Sequence, residues 1–372
     1  MLRNAGQETK AMTRCKNCLI PEIAPGVQIA SDGLCNLCKE EAETNHEETY
    51  ELARQEREGD FEQTIAQTRG QAEYDCMVPL SGGKDSIYLL HRLKNDYKLK
   101  VLAFTVDVNI PDLAWQSIRR ALDKLEIDHI VVRPPAAFYH KLFRYLLNNQ
   151  EERGAVYTVS YVYAPLFEGD ALQLAMAKGI PLVLAGYSPG QPEPERMLYE
   201  FSRQLIEQTD WTPPQLRASG EFTEDELQRF YNPLRYPPGT AFPRYLAPFH
   251  AWPYHQEDIM RQVVELGLVA TRKHANPIHS NYPINWLLMF SDLRHLGYNP
   301  YVPEFSALIR RGQANRNYWR VMAPVVDFLI RNRLGPAAEV SRSLRELDLT
   351  AEELRINQPK GAYDPPVPLQ NG

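Results

Sequence analysis

The sequence predicts an α/β fold in which a parallel-sheet domain follows an N-terminal four-cysteine ribbon and precedes a C-terminal helical region. Three observations support this prediction. Short apolar runs alternate with helical segments from residue 73 onward, which is typical of a parallel sheet with helices on both faces. Four of the five cysteines lie within the first 38 residues. Beyond residue 255 the spacing of apolar residues is that of helices.

The cysteines of the ribbon have the spacing of a metal site. They form two C-x2-C pairs separated by 16 residues, and these are Cys15, Cys18, Cys35 and Cys38. Two such turns can aim four thiolates at one point, which suits tetrahedral Zn²⁺, whereas disulfides are the wrong default in the cytosol. An iron–sulfur cluster could use the same ligands. Because four protein ligands leave no open position for chemistry, we expect a structural metal that folds residues 1–45.

The segment after the ribbon, residues 46–72, is polar and acidic. Its few large apolar residues are Leu52, Phe61 and Ile65. This pattern predicts one or two exposed helices that link the ribbon to the sheet domain.

The sheet domain is predicted over residues 73–255. Its strands are expected over 75–80, 100–106, 130–132 and 181–185, and its helices over 87–93, 118–125 and 164–178. In such sheets, ligands bind outside the carboxyl ends of the strands.

A proline-rich insertion over residues 189–253 interrupts this pattern, since it holds 11 of the 29 prolines together with many aromatic residues. It indicates either an ordered lid over the strand ends or a rigid surface excursion with its own small core. Helices over 256–268 and 283–296 are expected in the C-terminal helical region, residues 256–356. Residues 357–372, rich in Pro and Gly, are predicted to be a loose tail.

The composition is that of a globular protein and excludes several classes. Of the 372 residues, 44% are hydrophobic and 24% are charged, which rules out wholesale disorder. The net charge of −6 argues against a protein built mainly to bind nucleic acid. No apolar run approaches the roughly 18 residues of a membrane span, and the N-terminus lacks the apolar core of a secretory signal. We therefore expect a cytoplasmic protein that does not bind membranes.

The segment S-G-G-K-D-S, residues 81–86, follows the first predicted strand and opens the first helix of the sheet domain. Its two glycines let the backbone approach a ligand closely, and the free N–H groups of a helix start favour an anion. Lys84 adds a positive charge, while Ser81 and Ser86 add hydroxyl donors. It is not the longer Walker A loop, so nothing in it argues for hydrolysis of a γ-phosphate. We predict a phosphate-binding loop rather than a polar turn that merely caps a helix.

This loop resembles that of the PP-loop ATP pyrophosphatases, which include GMP synthetase, asparagine synthetase and the tRNA thiolation enzymes. The resemblance implies that ATP is cleaved between its α and β phosphates. A carbonyl or amide oxygen is adenylated, pyrophosphate leaves, and a nitrogen or sulfur nucleophile displaces AMP. It also implies that the loop holds the pyrophosphate while Mg²⁺ neutralises the developing charge. The residues that it assigns to ATP are Ser81, Gly82, Gly83, Lys84, Asp85 and Ser86, with Lys84 and Asp85 as catalytic candidates.

A narrower resemblance is to the N-acetyl sugar amidotransferase family. It rests on C-K-N-C-L-I-P at 15–21, D-G-L-C at 32–35, Y-D-C-M-V-P at 74–79, H-S-N-Y-P-I-N at 279–285 and G-Y-N-P-Y at 297–301. It implies that nitrogen replaces the acetamido oxygen of a small sugar acceptor, and that a separate glutaminase supplies the ammonia. This chain departs from the pattern at Tyr282, where the family usually has a cysteine, after the fourth strand and in the proline-rich insertion.

Two further residues are candidates for the site. Asp107 follows the second predicted strand, so it could contact the ribose or a metal ion, or be an exposed strand-end carboxylate. His279 lies in the H-S-N segment, and a neutral imidazole there could accept a proton from attacking ammonium. A packed or surface histidine is the alternative interpretation of His279.

Two other functions stay open. Sulfur transfer, as in tRNA 2-thiolation, needs thiols beside the ATP site, yet only Cys76, inside a predicted strand, remains outside the ribbon. Sulfide delivered free or by a carrier protein would escape this objection. The other alternative is a zinc-ribbon RNA-binding protein, because arginines interleave with Tyr318 and Trp319 over residues 310–320. A helix surface with its own salt bridges is the favoured explanation of that cluster, and the acidic net charge supports it.

Overall fold

A five-stranded parallel sheet forms the centre of the computed structural model, which describes residues 13–43, 46–189, 199–275, 282 and 284–364. The strands are β1 (Cys76–Pro79), β2 (Val101–Val106), β3 (Asp128–Val132), β4 (Gln150–Glu151), β5 (Leu182–Leu184), β6 (Arg244–Leu246) and β7 (Ile356–Gln358). Five of these strands form the central sheet in the order β3-β2-β1-β5-β6, and all its pairs are parallel. The strands β4 and β7 pair with each other in a separate two-stranded sheet. The prediction of an α/β fold with a parallel sheet is confirmed.

Helices cover both faces of this sheet. The α-helices of the described residues are α1 (Asn36–Glu43), α2 (His46–Thr68), α3 (Lys84–His91), α4 (Asp112–Leu125), α5 (Ala136–Asn148), α6 (Ala155–Ala177), α7 (Arg203–Gln208), α8 (Pro214–Ser219), α9 (Glu224–Leu227), α10 (Gln256–Glu265), α11 (Arg272–Ala275), α12 (Asn285–His295), α13 (Val302–Arg310), α14 (Arg316–Asn332) and α15 (Glu339–Glu346). In none of the described ranges is a helix both long and apolar enough to cross a bilayer.

The alternation of side chains along the strands divides the core into two layers. Val78 and Ala103 face α3, α4 and α10, while Met77 and Phe104 face α6 and α7. Because all six residues of β2 are buried, this central strand has the continuous apolar pattern of a parallel strand covered on both sides.

The proline-rich insertion contributes to the sheet, which neither sequence interpretation anticipated. Its residues Arg244–Leu246 form the edge strand β6, parallel to β5. Arg244 holds this edge through Nη2, which lies 2.6 Å from Glu200 Oε2 and 2.9 Å from Asp60 Oδ2 of α2. The insertion's buried aromatic residues, such as Trp211 and Tyr245, join the core layer of α6 and the sheet. The described part of the insertion is therefore packed into the sheet domain as an integral part of it and has no separate hydrophobic core.

The linker helices are less exposed than their composition predicts. Leu52 is exposed, but Phe61 and Ile65 of α2 are buried. The ring of Phe61 packs edge-on against Tyr97 and Trp252, with 5.3 Å between centroids in each case. The helix α2 is thus anchored to the sheet domain by one apolar face.

The prediction of a loose tail is wrong for residues 357–364. The strand β7 pairs with β4, and the buried Tyr363 donates a hydrogen bond of 2.7 Å to the carbonyl oxygen of Asn149. Proline and glycine content did not reveal this pairing, because its partner lies about two hundred residues earlier in the chain. The rest of the predicted tail, residues 365–372, lies outside the described residues.

The long helix α6 begins nine residues before its predicted start, at Ala155 rather than 164. Its first N–H groups are capped from another helix, since the carboxylate of Asp292 accepts hydrogen bonds from Ala155 N and, at 3.0 Å, from Val156 N. A cap supplied by a residue so distant in the sequence leaves no local signal. This contact fixes α6 relative to α12.

The buried cap predicts a pH dependence of stability. Burial raises the pKa of Asp292 to about 7 from an ordinary 3.8, although the two backbone donors act in the opposite direction. Between these values the unfolded chain has released the proton that the folded chain retains, so the free energy of unfolding falls as pH rises. The Asp292→Asn variant lacks this titration. We therefore expect its free energy of unfolding, measured in urea, to rise relative to that of the parent as the pH is raised from about 4 to about 7.

A matched control is Asp225→Asn, which changes an exposed carboxylate in the first turn of α9. This variant should follow the pH profile of the parent protein. An unchanged pH slope in Asp292→Asn would contradict the raised pKa.

Candidate functional site

A cavity of about 530 Å³ opens at the carboxyl ends of the central strands. Pro79 at the end of β1, Val106 at the end of β2 and Ala185 just after β5 line it. This is the position at which parallel α/β sheets bind their ligands. The cavity extends from there between α6, α12, α13 and α14.

The predicted phosphate loop forms one end of this cavity, and all six of its residues, Ser81 to Ser86, line the cavity wall. Gly82 has φ +80°, and a Cβ there would lie 2.8 Å from the carbonyl oxygen of Ala114, so only glycine fits. Ser86 Oγ donates to Gly83 O at 3.0 Å and lies 3.3 Å from Ser81 Oγ. The helix α3 starts at Lys84, so its first N–H groups are positioned to receive an anion.

Lys84 is buried at this end of the cavity, with 7% of its surface exposed. Its Nζ lies 2.6 Å from Asp85 Oδ2 and 3.5 Å from the hydroxyl of Tyr254, which in turn donates to Asp85 Oδ1 at 3.2 Å. Burial alone would lower the pKa of Lys84, but the negative charge of Asp85, its hydrogen bond to Nζ and the nearby Glu304 raise it above its ordinary value. The ammonium group therefore stays charged although little water reaches it.

Sequence reasoning missed a second carboxylate at this end, that of Glu304. It lies in the first turn of α13 and lines the cavity. Burial raises the pKa of Glu304 to about 7, Asp85 adds to this shift and Lys84 opposes it. An acidic residue in the first turn of a helix is ordinary, so no local signal distinguished Glu304 from a residue that only favours the helix.

A third carboxylate that was missed belongs to Glu168, which is fully buried in α6 and lines the cavity. The hydroxyl of Tyr187 donates to Glu168 Oε1 at 2.7 Å. Glu168 and Asp170 are the two charged residues of the mostly apolar α6, and this was a signal that could have identified a site, because burying a carboxylate is costly.

The other candidate residues are placed less centrally. Asp107 follows β2, and its Oδ1 accepts a hydrogen bond of 3.2 Å from the backbone N–H of Ile110 while Arg133 Nε lies 3.9 Å from Oδ2. It is not among the residues that line the cavity, so its contact with ribose or metal stays a prediction. His279 lies outside the described residues.

Close packing behind the loop gives a stability and binding prediction. A Cβ at Gly186, just after β5, would lie 2.9 Å from the backbone nitrogen of Ser86. We expect Gly186→Ala to displace the loop, lowering the free energy of unfolding by about 1–3 kcal/mol in urea titrations. The same displacement should weaken binding of an ATP analogue, measured by calorimetry.

The matched control is Gly59→Ala in α2, where a Cβ would meet nothing within 4 Å. That variant should be more stable than the parent by roughly 0.5–1 kcal/mol, because alanine favours the helix. Equal stabilities of the two variants would show that the loop tolerates the extra methyl group.

The four ribbon cysteines come together as the sequence predicts. Their sulfur atoms all lie within 4.8 Å of one another, and the Cys15–Cys38 and Cys18–Cys35 pairs are 3.7 Å apart. A tetrahedral ion with Zn–S bonds of about 2.3 Å places its sulfurs about 3.8 Å apart. The cluster can therefore bind a metal ion, and its spacing suits a single ion better than a larger iron–sulfur core.

Two arginines of the basic segment 310–320, Arg310 and Arg316, attach the ribbon to the C-terminal helices. Arg316 Nε donates to the carbonyl oxygens of Lys16 and Asn17 at 3.1 and 2.9 Å, and Arg310 Nε lies 2.8 Å from Glu41 Oε2. The buried Trp319 stacks on a phenylalanine of α13, with 4.3 Å between ring centroids. These side chains are used in internal contacts, which favours the structural interpretation of the cluster over RNA binding.

Comparisons with known proteins add little to this geometry. No family model and no curated protein matches the chain. Among solved structures, NMN synthetase from Francisella tularensis has 12% identity and a TM-score of 0.35, covering 82% of this chain and 98% of its own. NH3-dependent NAD synthetase from Campylobacter jejuni has 12% identity and a TM-score of 0.33, covering 83% and 98%.

A third similar structure is the U34-tRNA thiolase NcsA from Methanococcus maripaludis with its [4Fe-4S] cluster. It has 13% identity and a TM-score of 0.29, and the match covers 90% of this chain and 88% of the thiolase. Likenesses this weak do not bear on the function of this chain.

Proposed function

We propose that this chain is an ATP-dependent amidotransferase-like ligase. It adenylates a carbonyl or amide oxygen of a small acceptor, such as an N-acetyl sugar, and releases pyrophosphate. Ammonia, supplied by a separate glutaminase, then displaces AMP. The observation that carries the proposal is the S-G-G-K-D-S loop, placed between β1 and α3 at the polar end of a large cavity.

The chemistry of the loop end supports binding of a triphosphate. The positive-φ turn at Gly82, the N–H groups at the start of α3 and the charged Nζ of Lys84 all lie at this end of the cavity. An amide oxygen is a very poor leaving group, and transfer of the adenylyl group of ATP to that oxygen lets it leave as part of AMP. Donors fixed before the reaction stabilise the charge that develops on the leaving pyrophosphate.

The two carboxylates beside Lys84 fit the Mg²⁺ that the chemistry requires. Asp85 and Glu304 would hold the ion, since carboxylate oxygens are ligands that Mg²⁺ prefers. Without such an ion, the negative charges of these carboxylates would repel a phosphate. When bound, the ion supplies positive charge to the β and γ phosphates. Tyr254 keeps the Asp85 carboxylate in place through its hydrogen bond.

Nitrogen is favoured over sulfur because of where Cys76 lies. Its side chain is fully buried within β1, on the layer that faces α3 and α4, and burial strongly raises the pKa of its thiol. No cysteine is among the described residues that line the cavity. The sulfur-transfer alternative therefore requires sulfide from outside the chain.

The metal of the ribbon is proposed to be a structural Zn²⁺, bound by the four clustered cysteines.

The test is the identity of the nucleotide product. The purified chain with MgATP is given pooled N-acetyl sugars, with ammonium or with sulfide, and the products are separated by ion-exchange chromatography. We expect AMP and pyrophosphate only with ammonium. The same products only with sulfide would favour thiolation, and ADP with phosphate would refute cleavage between the α and β phosphates.

A binding measurement makes the result independent of the acceptor pool. Calorimetry with the non-cleavable analogue α,β-methylene-ATP and Mg²⁺ should give one site per chain. Absence of binding would refute the assignment of the loop to ATP.

A further inference from the structure

Two asparagines are among the described residues that line the cavity, and the protein satisfies their side chains to different degrees. Asn299 is bonded at both ends of its carboxamide. Its Oδ1 accepts a hydrogen bond of 3.0 Å from the backbone N–H of Tyr301, and its Nδ2 donates to Asp327 Oδ1 at 3.3 Å. Asn285 is bonded at one end only, since its Oδ1 accepts a hydrogen bond of 2.6 Å from the hydroxyl of Tyr301. Among the described residues, none accepts a hydrogen bond from Asn285 Nδ2.

The Nδ2 group of Asn285 is enclosed by the fold although it has no such partner. The residue is 7% exposed and begins α12. Its side chain does not cap this helix, because its oxygen is bonded to Tyr301, and Ile284 at the cap position makes no side-chain bond either. A buried N–H donor without a partner is costly, so such groups are normally bonded. Nδ2 is therefore a donor available to a molecule in the cavity.

The hydroxyl of Tyr301 determines which end of the Asn285 carboxamide is presented. Burial raises the pKa of Tyr301, so its hydroxyl keeps the proton that it donates to Oδ1. With the oxygen held in this way, Asn285 offers N–H donors to the cavity and no acceptor. A ligand atom that bonds to it must therefore be an acceptor, such as an oxygen.

Tyr301 also connects this donor to the end of the cavity that holds the phosphate loop. It lies three residues before Glu304 at the start of α13, and both residues line the cavity. The negative charge of Glu304 adds to the rise in the pKa of Tyr301, while Glu304 in turn feels the charges of Lys84 and Asp85. Asn285 thus lies beside the loop end of the cavity.

We infer that Asn285 binds the carbonyl oxygen of the acceptor amide through Nδ2, and that Tyr301 is a positioning residue that orients this carboxamide. The word acceptor rests on the proposed function. An oxygen of ATP is the other source of a bonding atom, but the loop already offers the phosphates a cation and backbone donors, whereas Asn285 offers a neutral donor suited to a neutral carbonyl. A carbonyl oxygen has two lone pairs, so one bond to Nδ2 leaves the other pair for the adenylation already proposed.

The test observes the side-chain N–H groups directly, by NMR of the deuterated chain labelled with ¹⁵N-asparagine. The signals of Asn285 and Asn299 are assigned by their absence from Asn285→Asp and Asn299→Ser. N-methylacetamide, a small secondary amide, is titrated with Mg²⁺ and α,β-methylene-ATP present. We expect the Nδ2 signals of Asn285 to shift downfield and saturate, with a dissociation constant on the order of millimolar. Those of Asn299 should not move, because its carboxamide is already bonded within the protein.

Two variants assign the bond to Nδ2 and its orientation to Tyr301. Asn285→Asp keeps the volume and an acceptor for the Tyr301 hydroxyl but, when ionised, has no donor. The dissociation constant of the amide, measured by ligand-detected NMR, should rise about three- to tenfold in this variant. Tyr301→Phe should raise it at least about twofold, because the carboxamide can then turn. In an Asn285→Ala background Tyr301→Phe should have no further effect, a result that a purely structural role of Tyr301 would not give.

Asn317→Ala, at an exposed asparagine of α14, is the matched control and should leave the dissociation constant unchanged. No shift at Asn285, or a dissociation constant that Asn285→Asp does not change, would overturn the inference. A shift caused by the nucleotide alone and unaffected by the amide would do the same, because it would assign Nδ2 to an oxygen of ATP. The titration of the parent chain decides the question even if a variant does not fold.

These titrations involve no cleavage of ATP. Binding of the amide at Asn285 without formation of AMP would therefore refute only the proposed function. Formation of AMP without the shift at Asn285 would refute only this inference.

Discussion

Replacing Lys84 by alanine is expected to lower acceptor-dependent formation of AMP by at least about a thousandfold. Its Nζ is the single lysine or arginine charge among the described cavity-lining residues, and it lies at the loop where pyrophosphate would leave. A charge in a place from which water is largely excluded acts more strongly than one at the surface. The measurement is the initial rate of AMP release under saturating MgATP, with the identified acceptor and ammonium.

The variant should remain folded although the lysine is buried. Lys84 lowers the pKa of Glu304, so its removal lets that carboxyl take up a proton and remain neutral. Circular dichroism and the thermal midpoint should therefore stay close to those of the parent protein.

Lys178→Ala is the matched control for this loss of charge, since Lys178 is exposed at the end of α6. It should retain the parent rate. Full activity of Lys84→Ala would mean that the loop assignment is wrong, whereas loss of structure would show that the ion pair with Asp85 is needed for folding.

Replacing Cys35 by serine is expected to remove one equivalent of bound metal per chain and to lower the thermal midpoint by roughly 5–10 °C. Cys35 supplies one of the four sulfurs, and three ligands cannot complete the closed site. The measurement is metal content by atomic emission, combined with a thermal scan.

The loss should extend beyond the ribbon because of the contacts between Arg316 and the carbonyls of Lys16 and Asn17. These tie the first C-x2-C turn to α14, whose Trp319 lines the cavity. Cys76→Ala is the matched control, because it removes a buried cysteine that takes no part in the cluster and should retain the metal. Equal metal contents in the two variants would contradict the four-sulfur site.

Much of the first half of the sheet domain could be predicted because its signals are local. The loop at 81–86 lies between a continuous apolar run and an amphipathic helix, and both are short-range patterns. The same holds for the C-x2-C pairs, since each pair fits within one turn and one metal ion suffices to join them.

The elements that were missed all depend on partners far away in the chain. The strand β6 is three residues long among prolines, and only its pairing with β5 and the ion pairs of Arg244 make it a strand. The start of α6 depends on the cap from Asp292. Likewise, the segment β7 forms a strand only because it pairs with β4.

For this protein, periodicity and spacing over a few residues were enough to predict the parallel α/β fold, the position of the loop at 81–86 after β1 and the four-cysteine cluster. That Glu304 and Glu168 share a cavity with Lys84, and that aromatic rings form part of its wall, became evident only from the folded structure. These residues come from separate helices, and folding alone brings them together.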